Sequence, residues 1–573
     1  MNPFVFSGAS NLTDDQILTL FIHDYNYSRF IQSKRNFFFW GERGSGKTMT
    51  LLYNKLVIQK EVSKAINNED RIEYIPVYVS CINPLVFKRE FLLLKDDFLA
   101  SVVSEHYLSL SMGTALIDAL REMPQVCEKI DHSDLRTEFE YILDSELPTN
   151  TDTLKSIKSF LCRQLIKTQK EINSPESDSF YNDSYSFTSL IKPLIEIFCS
   201  MGFLKDAHFI FMMDDAHDLN PLQRATLNSW ISYRDNSSFS FKVSAAKMSG
   251  YSFITASGGS ILQGHDYTSV NMEQAFQNND SGYSKMAKKI ISKRLEIIGF
   301  DPDYELSDYF PVQDSLKAQI DECKEQARNE AIEKYGKNDA KKINDYVYKY
   351  ARAIYFRQRS RKANRPPYSG LETIIHISSG VIRNLLEPCF VMYEDMLSKV
   401  GSDKNITKIE SNVQTDVISR LSDAYWERLR HGIDKDLPEC SSIEAKQLEN
   451  LFNALSGLFR DRLLDSQCSE PRAIAFTISA KSEMKQLQHI LDIAQRAQLL
   501  YVRSGTSKDD GAKEDYFVPN KMLWPSRGLD PVGQHARVSI QASKLENALK
   551  TGKIPYSPDK IKTGNKTMDL FND

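Results

Sequence analysis

The chain has 573 residues, 41% of them hydrophobic, and a formal net charge of -4. That length exceeds what a single core organises, so two to four domains are expected, and the near-balanced charge excludes a protein that works by whole-surface attraction to nucleic acid. The cysteines at 81, 127, 162, 199, 323, 389, 440 and 468 are scattered with no Cys-x-x-Cys pair, and no apolar run is long enough to span a bilayer; reduced thiols in a soluble, cytoplasmic chain are expected, with no disulfide frame and no zinc site.

From residue 12 to 30, Ile17, Phe21, Ile22, Tyr25 and Phe30 recur at a spacing that suits a short helix and turn. Tyr25, Tyr27 and Phe30 are candidates to stack on an adenine, with core packing as the competing role. The apolar run Phe37 to Trp40 reads as a buried strand. It leads into Gly41-x-x-x-x-Gly46-Lys47-Thr48 and then the helix-compatible run Met49 to Ile58, which is strand, phosphate loop and helix in the order this chemistry needs. Gly41, Gly44 and Gly46 let backbone N–H groups turn toward phosphates, Lys47 reaches the β and γ phosphates, and Thr48 offers a hydroxyl to Mg²⁺. The expected ATP-binding set is Gly41, Gly44, Ser45, Gly46, Lys47, Thr48 and Met49.

Arg71 to Ser80 is the second predicted strand. A helical region follows over about 85–200, with helices over Phe91–Leu120 and Leu154–Lys170 and a polar loop over Glu171–Ser186. His208 to Met213 is an uncharged strand ending in Asp214-Asp215. An acid at the carboxyl end of a buried parallel strand is placed to hold the Mg²⁺ shell, which assigns Asp214 to the metal with Thr48, and Asp215 to orienting the attacking water. His217 and Asp218 are weaker candidates that suit capping the helix Pro221–Tyr233. The next strand, Ser240–Ala245, ends at Ser244, where it or Lys247 can test the γ phosphate. Gly250–Gly264 reads as loop and Thr268–Met272 as a last short strand.

A cationic amphipathic helix over Tyr283–Ile298 begins a helical unit. Within it, residues 341–365 hold nine Lys or Arg against one acid, Asp345, with Tyr346, Tyr348, Tyr350 and Tyr355 between them. Lys349, Arg352, Arg357, Arg359, Arg361, Lys362 and Arg365 are candidates for a phosphate-backbone surface; the alternative is a solvated helix end stopped at Pro366-Pro367. Helical spacing returns over Leu371–Ile377 and Leu385–Met396, with Gly380-x-x-Arg383 between them, where Arg383 can point back to the phosphates. Helices over Val417–Leu429 and Leu448–Leu464, the run Arg472–Ile478, a helix over Lys481–Ala497 and strands over Leu499–Val502 and Asp515–Val518 outline a winged helix without a strongly basic reading face.

The order of Gly41 to Thr48, Met212-Met-Asp-Asp215, Ser244, the helix 283–298 and Gly380-x-x-Arg383 resembles the AAA+ ATPases of the origin-recognition-complex type, in particular their bacterial relatives, over roughly residues 15–400. The resemblance implies an α/β P-loop NTPase with an AAA+ three-layer core over 1–280, carrying the helical insertion, and a helical lid over 281–405 with the insertion 314–365. A winged-helix-like domain over 411–548 and a flexible tail, 549–573, would follow. It also implies Ser244 as sensor 1, Arg383 as sensor 2 and an element from Ser252 to Glu273 containing Gly264-His-Asp-Tyr267. Two departures stand out. The acid after Asp214 is Asp215 and not Glu, as in signalling ATPases of the STAND group, and no arginine lies between Arg234 and Arg294, so a trans-acting arginine must come from elsewhere, such as Arg224 or Arg234.

The function implied is a slow, Mg²⁺-dependent ATPase that controls a protein partner, or a homo-oligomer, in response to nucleic acid, as in bacterial antiviral defence. A DNA-binding replication or partition initiator and a non-hydrolysing, ATP-locked scaffold are the alternatives.

Overall fold

Apolar runs without alternation are what a strand buried on both faces requires, and the first unit is built on them. A computed structural model describes residues 2–558 apart from 6–7, 26, 70, 82–96, 148–151, 174–182, 234–237, 247–249, 273–279, 361–364, 402–404, 438–439, 481–483, 507–510 and 512. The chain divides into two units, Ser7–Gln274, and Met1–Phe6 together with Ala275–Asp573.

In the first unit, β1 (Phe37–Trp40), β2 (Tyr74–Ser80), β3 (His208–Asp214), β4 (Phe239–Ala245) and β5 (Thr268–Asn271) form one sheet in the order β2-β3-β4-β1-β5, with every pairing parallel. Each residue of β1, β3 and β4 is buried. Because the strands are parallel, the carboxyl ends of β1, β4 and β3 lie side by side along one edge, the edge at which such sheets bind ligands. Lys242, fully buried in β4, is held by three acceptors: Ser33 O at 2.7 Å, Arg35 O at 2.6 Å and Ser240 Oγ at 2.6 Å. Burial drives its pKa well down, and the bonds tie the turn before β1 to the sheet.

The described helices of the insertion are close to those expected. Asp97–Arg121 packs on β2 and on Thr153–Ile172; the predicted start at Phe91 lies outside the described residues, as do 174–182 of the predicted polar loop. The end of that loop is structured, since Ser186 caps a π-helical turn, Phe187–Ile191, whose Phe187 is buried against Trp230 and Phe239. Near the start, Phe21 stacks on Tyr53 with centroids 3.6 Å apart, Tyr27 donates to Met272 O at 3.1 Å, and Phe30 packs against Phe37. Tyr27 and Phe30 thus contribute packing; the Tyr25 side chain lies outside the described residues.

In the second unit, the polar insertion is an antiparallel helical hairpin, Asp314–Tyr335 and Ala340–Arg359, turning at Gly336 with φ 79°. The two last predicted strands form as β7 (Leu500–Thr506) and β8 (Lys513–Pro519), each longer than predicted and paired antiparallel. The run near Arg472 is a strand, β6 (Ala473–Ser479), antiparallel to β8, and the helix between β6 and β7 is Lys485–Arg496, with 481–483 outside the described residues. This connectivity is winged-helix-like. An added strand, β9 (Gln534–Gln541), runs parallel to β6 at the sheet edge. The helix Ala542–Thr551 then carries buried Leu549 into the stretch expected as a flexible tail, and Tyr556 donates to Asp465 Oδ2 at 2.6 Å; residues 559–573 lie outside the described ones.

One buried ion cluster joins hairpin and sheet. Arg352 grips Asp530 with two bonds of 2.6 and 2.7 Å. Arg472, itself buried, reaches Asp530 at 3.4 Å while donating to Val532 O and Tyr348 O, both at 2.6 Å. Asp530 is 1% exposed, so its removal leaves two desolvated guanidinium groups without their counter-charge. Asp530→Ala is therefore expected to destabilise the second unit by about 3–5 kcal/mol, read as an earlier denaturant transition by circular dichroism; an unshifted transition would show the cluster to be dispensable.

Candidate functional site

The phosphate loop leaves β1 at Trp40 and enters the helix Lys47–Glu69. Gly44 and Gly46 have φ of 84° and 92°, a left-handed geometry that glycine adopts without Cβ strain and that turns successive N–H groups to one side. Lys47, 5% exposed, donates through Nζ to Gly41 O at 2.8 Å and Glu42 O at 3.0 Å. The loop's own carbonyls therefore hold the ammonium over the turn. Ser45 Oγ is shielded from solvent without a hydrogen-bond partner, an unmet polar atom inside the loop. Thr48 is half-buried in the first helical turn, and Met49 packs with Ile17, Phe21 and Tyr53.

Ser244, at the end of β4, lies between the strands that carry the loop and the acids. Its hydroxyl donates to Asp214 Oδ1 at 2.5 Å and accepts from the Asp215 backbone N–H at 2.8 Å. The hydroxyl expected to test a γ phosphate thus also bonds the Asp214 carboxylate and the Asp215 amide. Asp215 adopts a left-handed backbone, φ 54°, a conformation aspartate tolerates better than most residues. Asp214 is 3% exposed; its Oδ2 accepts from the Tyr78 hydroxyl at 2.8 Å, and its carbonyl accepts from Cys81 N at 2.9 Å. Nothing in the strand pattern of β2 marks Tyr78 for this role. A tyrosine in a strand reads as ordinary packing, and only the register beside β3 gives it a partner.

The charges are coupled. Burial, then the Asp214 charge, pushes the Asp215 carboxyl up to about 6, opposed by Lys47. Burial pushes His217 down to about 4; neutral, and 3.8–3.9 Å from Asp218 and Asp215, it forms no ion pair with either. Arg43 of the loop lies 3.7 Å from Asp218 across a partly exposed gap. The Cys81 thiol, fully buried and facing the same acids, is pushed well up and stays protonated.

The donor set fits a magnesium nucleotide. A loop of inward N–H groups, an ammonium held by neutral carbonyls and an unmet serine hydroxyl suit phosphate oxygens, while Thr48 and Asp214 would supply the few protein ligands magnesium takes when phosphates and water provide the rest. Among the described residues no cluster of three or more His, Cys, Asp or Glu could hold a metal by itself.

A family model, ORC-CDC6-like, matches residues 2–540. The chain belongs to the ORC-CDC6-like family. Its parallel core is accordingly the AAA+ P-loop NTPase fold of that family, with the loop after β1 and the acid pair at the end of β3. Solved structures similar to the chain include Cdc6p from Pyrobaculum aerophilum, at 10% identity over 96% of this chain and 97% of that one, with a TM-score of 0.27. Another is the ORC2 protein of Aeropyrum pernix in ADPNP and ADP complexes, at 10% identity over 94% and 93%, with a TM-score of 0.29. Scores this low carry no argument, and membership rests on the family match. No curated protein matches.

Arg224 lies in the first unit on the helix Pro221–Ile231; most other candidates lie in the second unit or outside the described residues. Arg383 is exposed on the first turn of the helix Ile382–Val400. The adjacent Gly380 has φ 81°, and a Cβ there would meet Arg503, which donates to Ser379 O at 2.8 Å. The expected row of phosphate-binding cations is largely taken up inside the protein. Lys349 pairs with Glu470 and Arg352 with Asp530; Arg357 donates to Leu463 O and Asp465 O, Arg359 to Arg365 O, and Arg365 pairs with Asp423. Sequence spacing could not reveal this, because every partner but the Arg365 carbonyl lies 58 or more residues along the chain. Arg361, Lys362, Arg234, Lys247 and Glu273 lie outside the described residues. Of the element leading to Glu273, Gly264 N donates to Tyr267 O, and Tyr251, Phe253 and Tyr267 pack on Phe38.

Because the Asp215 carboxyl titrates higher in the folded chain than its ordinary 3.8, its charge opposes folding above about pH 6 and not below about pH 4. Asp215→Asn is expected to raise the melting temperature at about pH 7.5, and the gain should vanish as the pH falls from about 6 to about 4. A gain independent of pH, measured by thermal melts across that range, would place the strain elsewhere.

Proposed function

We propose that the chain is a regulatory ATPase that binds magnesium ATP at this edge of the first unit and uses its nucleotide state to control a partner in response to nucleic acid. The observation that carries the reading is the convergence of the Lys47 loop with Asp214 and Asp215, both fixed through Ser244 at the end of a neighbouring strand. Bound ATP supplies the anhydride whose hydrolysis resets the switch. The protein's part is to hold it: Lys47 can exchange its two carbonyl partners for phosphate oxygens, Thr48 and Asp214 hold the metal, and Asp215 is the carboxylate available to orient water. Asp215 is shorter than glutamate and elevated in pKa, which favours slow turnover.

The nucleic-acid part of the reading rests on family membership, since the five described candidates of the basic stretch, Lys349, Arg352, Arg357, Arg359 and Arg365, have protein partners. Control of a partner in antiviral defence is the specific form suggested by the resemblance to bacterial relatives. Among the described residues no helix is long and apolar enough to cross a membrane.

Titration calorimetry and phosphate release test the proposal together. Lys47→Ala removes charge-assisted hydrogen bonds of about 1.5–3 kcal/mol, so affinity for magnesium ATP is expected to fall about ten- to a hundredfold. Absence of ATP binding by the wild type would overturn the reading. Binding without turnover would favour an ATP-locked scaffold, and turnover stimulated by duplex DNA alone, with no protein partner, a DNA-loading initiator.

A further inference from the structure

Tyr78 and Ser80 lie on one face of β2, and the register sets them opposite Met212 and Asp214 of β3. The Tyr78 Cα therefore sits two positions short of the acid, a diagonal that only a long side chain spans. The phenol spans it and places its hydroxyl 2.8 Å from Asp214 Oδ2. Ser244 holds the other oxygen. Each carboxylate oxygen thus has one fixed O–H donor, which sets the plane of the group and leaves a lone-pair position on each oxygen to face a metal.

We infer that Tyr78 is a positioning residue for the magnesium ion of the proposed nucleotide site, acting through Asp214. This rests on the nucleotide reading above. A phenylalanine would fill the same volume against the sheet, so packing accounts for the ring and leaves the hydroxyl unexplained. Outer-shell partners of this kind orient the group that faces the metal, and their loss commonly costs about ten- to a hundredfold in metal affinity.

The test is the Mg²⁺ dependence of nucleotide binding, followed with a fluorescent ATP analogue on the full chain and independent of turnover. For Tyr78→Phe, affinity in EDTA should equal that of wild type, while the Mg²⁺ concentration giving half of the metal-dependent gain rises about ten- to a hundredfold. Tyr74→Phe, four residues up the same strand, should leave both unchanged. Ser244→Ala should raise the Mg²⁺ requirement too, and the double variant should lose less than the product of the single losses, since both donors act on one carboxylate. A Tyr78→Phe titration matching wild type overturns the inference, as does a loss of nucleotide affinity equal with and without Mg²⁺, which would mark the hydroxyl as merely structural. A wild type that binds the analogue with no Mg²⁺ dependence overturns this inference alone; one that binds no nucleotide overturns the site itself.

Discussion

The Ser244 hydroxyl is the contact on which the site depends. It donates to Asp214 and accepts from the Asp215 backbone, so one atom on β4 ties down the last residue of β3 and the residue that follows it. It can do so because the strands are parallel and adjacent, which brings the ends of β1, β4 and β3 to one edge without any loop having to reach across. Remove the parallel register and the glycine loop, the lysine and the two carboxylates become separate features of a chain in which Lys47 and Asp214 lie far apart in sequence.

Holding two carboxylates side by side out of water is costly, and the structure meets the cost unequally. Asp214 receives two hydroxyl donors, whereas Asp215 has its backbone fixed and its carboxyl pushed up toward neutrality. The two acids are thereby differentiated by environment. One is oriented by fixed donors and suited to a metal shell; the other keeps proton affinity close to the working range and is suited to water. Lys47 opposes the rise without abolishing it.

Several cations of the second unit are bound within it. Arg352 and Arg472 converge on Asp530, and Arg357 on two carbonyls near the end of the helix Ser442–Leu464, so the basic helix serves as a clamp on the C-terminal sheet. A row of arginines and tyrosines in sequence describes a nucleic-acid surface and an intramolecular clamp equally well. The difference lies in whether acceptors from elsewhere in the chain come within about 3 Å, which spacing does not encode.

The sequence by itself determined the local and periodic features. Apolar runs without alternation mark β1, β3 and β4 as buried parallel strands, the glycines mark a loop that turns its amides inward, and Asp214-Asp215 at a strand end marks the acid edge. Strands with weaker patterns escaped: β9 is polar because it lies at a sheet edge, and β6 has a run too short to distinguish from a helix segment. The tertiary structure alone decided the partners. That Ser244 binds the Asp214 carboxylate and the Asp215 amide, that Tyr78 reaches Asp214, and that Arg352 is neutralised by Asp530 all follow from strand register and packing between residues 29 to 178 apart in sequence. Side chains identical in sequence acquire different roles according to what the fold sets within hydrogen-bond distance.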